Sequence, residues 1–419
     1  MAAIPEDQKL IPLRAAVQNY AWGLPSSANS LVARLHSLNS GEAVSTVKPY
    51  AELWIGTHPN GPAELISSTP MSLSEFLSKN DLPDIPYLLK VLSVAKPLSI
   101  QAHPDKTLAA ELHARNPSAY KDDNHKPEMC VALSQFEGMC NFRPIEEIKA
   151  HLEALPDMAQ LCDAESVNSI LSTSTDAISR KKAIRHLFST LMTASADSVQ
   201  ETLVSIEEDR KSRKVQTDAD RLFLRLVQYY PGDVGCFAAY LLNYVQIQPG
   251  QAFFMAANEP HAYLAGQCVE IMARSDNVVR AGLTPKFKDV STLVDMLTYQ
   301  DAYPTIMNGD ALDEFSMLYE PPVEEFQLIK SVIPTGKKQV LPGLKGASII
   351  LCMDGHGWIA VTRKSVEKEK HVKYALSAGR IYYVADGISV QVEACDSAVS
   401  GAASPELVLF RASINQKQI

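Results

Sequence analysis

The spacing of hydrophobic positions changes twice along the chain. Up to about residue 143, short apolar clusters such as YAELWIGTHPNGPAEL and YLLKVLSV alternate with Pro, Gly and Asn, which is typical of β-strands. Between 144 and 232 the apolar residues recur three and four apart, starting with PIEEIKAHLEAL, where Pro144 suits the first helical position. Strand-like patterns return at LLNYVQIQPGQAFFM, with one predicted helix near DVSTLVDMLTYQD. The pattern predicts a mainly β protein with a helical domain inserted into, or following, a β domain.

The last hundred residues are predicted to be β, and they contain a weak internal repeat. QPGQAFFMAANEPHAYL and SAGRIYYVADGISVQV share a Gly, an aromatic pair, then Ala and a turn. The eleventh residue after Gly250 is His261, but the eleventh after Gly379 is Val390. If both segments belong to duplicated antiparallel barrels, the first would hold a metal and the second would be structural.

Two further features of this region carry predictions. Asp354–Gly355 lies between two apolar runs and predicts a hairpin turn. The charged stretch TRKSVEKEKHVK, residues 362–373, is predicted to be a solvated loop or hairpin edge.

Polar residues converge on one face of the predicted strand LSIQAHPDK. Side chains two apart in a strand point the same way, so Ser99, Gln101 and His103 share a surface. Two other predicted strands place Lys126 beside Glu128 and His261 beside Tyr263. Two imidazoles, a carboxylate and a carboxamide suit zinc in a catalytic site.

Residue spacing alone leaves that metal site and ordinary hydrogen-bonded histidines as equal alternatives. Seven other histidines are expected to be hydrogen-bonded surface or core residues: His58, His113, His125, His151, His186, His356 and His371.

Three basic residues are candidates for an anion-binding pocket. Arg280 follows Asp276 by four residues in EIMARSDNVVRAGLTPKFKDV, which fits either an exposed salt bridge or a fixed guanidinium near a pocket. Lys90 interrupts an apolar strand and needs an anionic partner if it is buried. Lys126 is the third. The chain has no GxxxxGK[ST], GxGxxG or GxSxG motif, which argues against the usual nucleotide-phosphate loops and the serine-hydrolase elbow.

Length and composition narrow the class of protein. With 419 residues, two or three domains are expected, and no apolar run has the length of a membrane span. Seven scattered cysteines without CxxC spacing suit reduced thiols in the cytoplasm, and the first residues do not resemble a signal peptide. A net charge of −9 argues against nucleic-acid binding, so an anionic ligand would need a local basic pocket.

Seven motifs occur in order along the first two thirds of the chain: QNYAWG (18–23), AELWIGTHP (51–59), LSIQAHPDK (98–106), HKPEM (125–129), YPGDVG (230–235), EPHAYLAG (259–266) and SDNVVRAGLTPK (275–286). Together they resemble the type I mannose-6-phosphate isomerases, or phosphomannose isomerases, of the cupin superfamily. The resemblance implies two cupin-type β-barrels, or jelly rolls, plus an α-helical insertion. The metal-binding cupin domain would span 1–143 and 233–324, the helical domain 144–232, and a cupin-like domain without ligands 325–419.

The same resemblance implies the site residues. One zinc ion per chain would be bound by Gln101, His103, Glu128 and His261, and Arg280 would be the catalytic residue. Other positions would line the substrate pocket: Lys90, Ser99, Lys126, Tyr263, Asp276, Lys286, Trp22 and Glu52.

The implied reaction interconverts mannose 6-phosphate and fructose 6-phosphate through an enediol, and it would supply mannose 6-phosphate for GDP-mannose synthesis. Ser99, Lys126 and Lys90 would anchor the phosphate. The base stays open between Lys126, Glu270, His58 and a zinc-bound water. The enzyme is expected to be a cytoplasmic monomer that binds neither nucleic acid nor membrane.

Two other functions compete with this hypothesis. An iron-dependent cupin oxygenase would more typically use two or three histidines and one carboxylate, so Gln101 argues against it. A sugar-binding or storage cupin would need neither a complete ligand set nor a cation cluster. Metal content separates the three functions. The isomerase is expected to contain zinc, the oxygenase iron, and the sugar-binding or storage protein no metal.

Overall fold

A computed structural model describes residues 6–173, 176–362, 373–396 and 406–417. His371 and most of the stretch predicted to be a solvated loop lie outside these ranges. The described residues form twelve α-helices: α1 Glu6–Lys9, α2 Leu31–Ser40, α3 Leu73–Lys79, α4 Lys106–Arg115, α5 Ile145–Ala154, α6 Pro156–Leu161, α7 Ala164–Leu171, α8 Ala177–Thr193, α9 Ala196–Ser212, α10 Asp218–Tyr229, α11 Ala238–Leu241 and α12 Val290–Met296.

The strands fall on both sides of the helical section. In chain order they are β1 Leu10–Arg14, β2 Ala16–Gln18, β3 Leu24–Pro25, β4 Pro49–Tyr50, β5 Glu52–Ile55, β6 Glu64–Leu65, β7 Tyr87–Val94, β8 Ile100–Ala102, β9 Glu128–Ala132, β10 Phe136–Phe142, β11 Leu242–Ile247, β12 Ala252–Met255, β13 His261–Ala273, β14 Val279–Gly282, β15 Ile306–Met307, β16 Asp310–Ala311, β17 Ser316–Tyr319, β18 Gln327–Pro334, β19 Lys338–Leu341, β20 Ser348–Asp354, β21 His356–Val361, β22 Tyr374–Ser377, β23 Ile381–Val384, β24 Val390–Ala394 and β25 Glu406–Ser413.

The predicted combination of β-sheets with an α-helical region is confirmed. Helices α5 to α10 fill the section from 144 to 232, and their apolar faces share one core with the strands β8 and β14. The sequence pattern did not predict α2, α3 and α4 in the first 143 residues. Each begins at a side-chain N-cap, provided by Ser30, Ser72 and Asp105, which shows the local signal that the β-like composition obscured.

An eleven-stranded sheet carries the long strand β13 at its centre. Strand β13 pairs antiparallel with β7 and β9 over its second half, and with β8 and β10 near its start. Strand β8 also pairs with β14. The start of β13 therefore lies where three segments distant in sequence meet.

The N-terminal strand joins the sheet built by the C-terminal residues. An eight-stranded sheet has the order β16-β17-β18-β25-β20-β23-β1-β6, and a four-stranded sheet has the order β19-β24-β21-β22. In the described part of the chain, neither of these two sheets nor the eleven-stranded sheet closes into a ring.

The predicted hairpin at Asp354–Gly355 is wrong. Strand β20 pairs with β23 and β25, whereas β21 pairs with β22 and β24 in the other sheet. Gly355 has φ +85°, and a Cβ there would clash with the carbonyl oxygen of Glu406. The glycine therefore lets the chain cross closely between two sheets instead of turning back beside itself.

Candidate active site

The central row of the site runs across three strands. Ile100 and Ala102 of β8 are buried in the core shared with the helices, so Gln101 between them faces the opposite side. Gln101 lies directly opposite His261 of β13 and Arg280 of β14. Because cross-strand neighbours share a face, the carboxamide, imidazole and guanidinium lie on one surface.

The predicted strand around Gln101 is shorter than expected. Strand β8 contains only Ile100–Ala102, so Ser99 precedes it and His103 follows it. Asn258 holds the turn after β8: its backbone N–H donates to the His103 carbonyl at 2.7 Å, and its side chain exchanges hydrogen bonds with Asp105. The face predicted for Ser99, Gln101 and His103 therefore includes one strand residue and one residue on each side of the strand.

His103, Glu128 and His261 form a buried triad. Glu128 Oε2 lies 3.4 Å from His103 Nε2 and 3.2 Å from His261 Nε2, and the two imidazole centroids are 5.0 Å apart. One ligand atom from each residue lies within 4.8 Å of the others. His103 is fully buried, and that burial lowers its pKa to about 4, so its imidazole is neutral at physiological pH.

The histidine tautomers point three acceptors at one position. His103 Nδ1 lies 2.6 Å from the Asn277 carbonyl, and His261 Nδ1 lies 3.1 Å from the Glu259 carbonyl, so both Nδ1 atoms donate. Each Nε2 therefore presents a lone pair, and neither has a hydrogen-bond partner. Two nitrogen lone pairs beside a carboxylate oxygen need a cation between them, which is the donor set that zinc prefers.

Asp122 organises the backbone behind His103. Its carboxylate accepts hydrogen bonds from the Ser275 hydroxyl at 2.7 Å and the Asp276 backbone N–H at 2.8 Å. The Asp122 carbonyl accepts from the Asn277 side chain at 2.7 Å. The Asn277 carbonyl that holds His103 Nδ1 is thus fixed through a chain of hydrogen bonds that ends at Asp122.

A second charged cluster surrounds Lys90 on β7. Its Nζ lies 2.8 Å from Glu270 Oε2 and 3.7 Å from Glu52 Oε2, and it lies 5.2 Å from the centre of the Trp54 ring. Burial alone would lower the pKa of Lys90, but Glu270, Glu52 and Glu128 raise it above its usual value. Lys90 is therefore a permanent cation held between carboxylates.

Lys126 and Arg280 complete the positive side of the site. Lys126 Nζ lies 3.2 Å from Glu128 Oε1. Burial alone would raise the pKa of Glu128, but Lys126 brings it well below its usual range. Arg280 is half-buried, which lowers its pKa, and it has no hydrogen bond or ion pair to any residue in the described part of the chain. A half-buried guanidinium without a partner is suited to binding an anionic ligand.

Asp276 forms a separate pair with His58. His58 Nε2 lies 3.3 Å from Asp276 Oδ1, and this hydrogen bond lowers the pKa of Asp276. The backbone N–H of Asn60 donates to His58 Nδ1 at 3.2 Å. Both ring nitrogens of His58 are thus occupied.

The other predicted pocket residues differ in their surroundings. Tyr263 is buried, which raises its pKa, and its hydroxyl has no hydrogen-bond partner. Trp22 packs partly buried on the core that contains Tyr263, and Ser99 is half-buried. Lys286 is exposed in the loop after β14, so the described residues do not bring it into the charged clusters.

The charge balance also favours a bound cation. Four carboxylates, from Glu52, Glu128, Glu270 and Asp276, face three cations, from Lys90, Lys126 and Arg280. Counted without the histidines, these side chains leave one excess negative charge. A divalent cation would reverse that sign and make the site attractive to an anionic substrate.

The fold and the site together define a metal-binding protein with a charged ligand pocket, and family models identify its family. The chain matches the phosphomannose isomerase type I catalytic domain over residues 10–145, its helical insertion domain over 159–242 and its C-terminal region over 316–364. It is 40% identical to mannose-6-phosphate isomerase 1 of Arabidopsis thaliana, covering 98% of this chain and 95% of the relative. Identity to the Homo sapiens mannose-6-phosphate isomerase is 41%, covering 83% and 88%.

Solved structures agree with these matches. The Salmonella typhimurium mannose 6-phosphate isomerase bound to fructose 6-phosphate and zinc superimposes with a TM-score of 0.80 at 27% identity, covering 97% of this chain and all of that one. A zinc-bound holo mannose 6-phosphate isomerase gives a TM-score of 0.79 with the same identity and coverage. The chain belongs to the type I phosphomannose isomerase family, which confirms the resemblance seen in its motifs.

Several residues that shape the site were not predicted as site residues. Asp122 and Asn277 act through hydrogen bonds, and Trp54 donates its indole N–H to Glu52. Burial raises the pKa of Tyr20, which also lies close enough to Glu52 and Lys90 for their charges to act on that pKa. Tyr20, Trp54, Asp122 and Asn277 lie in or beside quoted motifs, but their contacts depend on residues far away in sequence.

Over the described residues, no helix is long and apolar enough to span a bilayer.

Proposed function

We propose that this chain is a zinc-dependent aldose–ketose isomerase that interconverts D-mannose 6-phosphate and D-fructose 6-phosphate. The observation that carries the proposal is the buried triad with two unpartnered Nε2 atoms, set beside three cations. The names of the matched relatives support the substrate, and the fructose 6-phosphate and zinc in the Salmonella structure support the ligands.

One zinc ion would be held by His103, Glu128 and His261, with Gln101 as the fourth ligand. Gln101 lies opposite His261 in the strand register, which supports its place in the set. When bound, zinc supplies Lewis-acid polarisation of a sugar oxygen. The neutral imidazole of His103 and the lowered pKa of Glu128 are protonation states that suit metal ligands.

Arg280 would stabilise the negative charge that develops during the reaction. A proton must leave C2 of the open-chain aldose and return at C1 through an enediol, so charge builds on the carbonyl oxygen. Arg280 shares its face with Gln101, and no carboxylate in the described residues neutralises it. A fixed positive charge in a partly desolvated site lowers the energy of that oxygen.

Glu270 is the base that the contacts favour. Lys90 is held as a cation, and both nitrogens of His58 are engaged, so neither presents a free lone pair. Burial raises the pKa of Glu270 above its usual value, which makes its carboxylate a stronger base, and Lys90 Nζ lies 2.8 Å from Glu270 Oε2. Lys126 is the alternative candidate for the base, and substituting each residue in turn distinguishes it from Glu270.

Substrate binding would draw on the remaining charged and polar residues. Ser99, Lys126 and Lys90 would anchor the phosphate, far from the reacting carbons, so that its binding orients the sugar. The pocket around the sugar would be lined by Glu52, Asp276, Tyr263, Trp22 and Lys286. The buried Tyr263 hydroxyl without a partner supports its place in that lining.

We also propose the finer architecture and cellular role. The sheets would form two cupin-type barrels with limits at 1–143 with 233–324 and at 325–419, and the helical domain would occupy 144–232. The seven free cysteines favour a reducing compartment such as the cytoplasm. The enzyme would supply mannose 6-phosphate for GDP-mannose synthesis, and it would act as a monomer.

Turnover of the purified protein tests this function. Formation of fructose 6-phosphate from mannose 6-phosphate is measured before chelation, after chelation and after zinc add-back, alongside Arg280→Ala. Activity that is lost and restored with zinc, together with a folded but nearly inactive Arg280→Ala, supports the proposal. Proton exchange at C2 with solvent deuterium, lost in Glu270→Gln but retained in Lys126→Met, assigns the base. A zinc-loaded wild type without turnover overturns the function.

A further inference from the structure

The segment from Asp122 to Pro127 carries Lys126 and leads directly into Glu128. It has no regular secondary structure, so its position depends on contacts to its two sides. On one side, the Asn124 side chain donates to the Arg274 carbonyl at 3.2 Å, and the Asn124 carbonyl accepts from Asn277 at 2.9 Å. This side is held by the loop after β13 and belongs to the site already described.

The other side of the segment is held by Glu325, which lies 200 residues further along the chain than His125. Glu325 Oε1 accepts a hydrogen bond from His125 Nε2 at 2.6 Å and from Lys106 Nζ at 2.8 Å. The Glu325 side chain is only 10% exposed and that of His125 only 15%. A single carboxylate oxygen therefore joins the two segments that carry zinc-ligand candidates, 98–106 and 125–129.

Glu325 is itself anchored to the eight-stranded sheet. The next residue, Phe326, is fully buried, and β18 begins at Gln327. Asn415, just after β25, donates its backbone N–H to the Glu324 carbonyl at 3.1 Å and its side-chain amide to the Pro321 carbonyl at 2.9 Å. These contacts fix the position of Glu325 in the C-terminal part of the protein.

The charge of Glu325 is secured by its partners. Burial alone would raise its pKa, but the hydrogen bonds from His125 and Lys106 lower it to about 2. The carboxylate is ionised at physiological pH, and charge-assisted hydrogen bonds of this length are among the stronger ones in proteins.

We propose that Glu325 is a positioning residue through which the C-terminal sheet fixes the segment bearing Lys126 and Glu128 against the turn after β8. It touches neither the triad nor, in the proposed function on which this inference rests, the substrate. It acts through His125 and Lys106. Without it, Lys126 and Glu128 lose one of two supports, so phosphate anchoring and zinc retention both weaken.

Steady-state kinetics of zinc-loaded variants test this role. Glu325→Ala is expected to lower kcat/KM for mannose 6-phosphate by roughly 10- to 100-fold, mainly through a higher KM, because misplaced supporting groups have effects of this size. Glu325→Gln keeps an acceptor oxygen and is expected to recover most of that loss. The matched control is Glu324→Gln, whose exposed side chain makes no contact in the described residues and which should behave as wild type.

Zinc retention provides a readout that does not depend on turnover. The rate of zinc transfer to a chromophoric chelator should rise about tenfold in Glu325→Ala and remain unchanged in Glu324→Gln. If Glu325→Ala only lowers the Tm, while its kcat/KM and zinc transfer at 25 °C match the control, Glu325 is merely structural and the proposal is overturned. Wild type without turnover would contradict the proposed function alone, because zinc transfer still reports on Glu325.

Discussion

The segments after Gly250 and after Gly379 begin alike and end differently. Both glycines have a left-handed φ, +88° and +86°, and each precedes a short buried strand, β12 or β23. Eleven residues after Gly250 lies His261, whose Nε2 joins the triad. Eleven residues after Gly379 lies Val390, which is fully buried in an apolar cluster. One local pattern thus supports a ligand in one region and core packing in the other.

Buried cations show the same contrast. Lys90 lies between Glu270 and Glu52 in the site. Arg411 of β25 is equally buried but donates to the Ser348 hydroxyl at 3.0 Å and the Pro342 carbonyl at 2.6 Å. Burial lowers the pKa of Arg411 to about 10, whereas carboxylates raise that of Lys90. The buried cation outside the candidate site thus has neutral partners, and the one inside it has carboxylate partners.

Substituting the two equivalent positions gives the largest expected effect. His261→Ala should lower kcat by roughly a thousandfold or more and abolish zinc binding, because loss of a ligand removes several kcal/mol of transition-state stabilisation. Val390→Ala should destabilise the protein by about 2 kcal/mol through a cavity, with kcat unchanged. Metal analysis, kinetics and urea unfolding distinguish the two. Equal kinetic losses in both variants would refute the contrast.

The paired buried cations give the next largest effect. Lys90→Met leaves Glu270 and Glu52 buried without their cation and should cost about 3–5 kcal/mol of unfolding free energy, together with most of the activity. Adding Glu270→Gln should restore part of the stability but not the activity. Arg411→Met should cost about 1–3 kcal/mol by leaving neutral acceptors unpaired, while kcat/KM stays near wild type. An active Lys90→Met variant would contradict the functional assignment of this cluster.

The backbone behind His103 gives a smaller effect. Asp122→Asn replaces an acceptor oxygen that holds Ser275 or Asp276, so His103 loses its fixed orientation. Zinc affinity, measured by chelator competition, should fall by roughly 10-fold. Asp123→Asn is the matched control, because Asp123 is exposed and makes no contact in the described residues. Identical affinities for the two variants would place Asp122 outside the metal site.

The pH dependence of stability gives the smallest effect and concerns the link between the two regions. The pKa of Glu325 is lowered from 4.5 to about 2, so its contribution to stability is present above pH 4.5 and is lost as the pH falls toward 2. In urea unfolding at pH 6, the unfolding free energy of the wild type should exceed that of Glu325→Gln by about 2 kcal/mol. The difference should vanish near pH 2. A difference that does not change with pH would argue against the depressed pKa.

Local periodicity was sufficient to predict some of these features. The three- and four-residue spacing after Pro144 identified the helical section, since such spacing depends only on neighbouring residues. Alternation around Gln101 gathered the polar face, because Ile100 and Ala102 are buried on the other side. His103, Glu128 and His261 came together because each lies at or next to a strand end, where several motifs meet.

Contacts between distant residues could not be predicted in the same way. Strand β1 pairs with β23, and nothing in either segment specifies that partner. Asp354–Gly355 has the local chemistry of a hairpin, but the flanking strands bind to different sheets. Glu325 meets His125 only in the folded chain. These features depend on tertiary packing, which a single sequence does not encode in any local pattern.

The most direct test of the account is a zinc titration of the metal-free protein with turnover of mannose 6-phosphate as the readout. The triad predicts that activity rises linearly and stops rising at one equivalent of zinc per chain. His261→Ala should stay inactive throughout the same titration. Full activity in the metal-free protein, or activity that iron restores and zinc does not, would contradict the central claim that this triad is a catalytic zinc site.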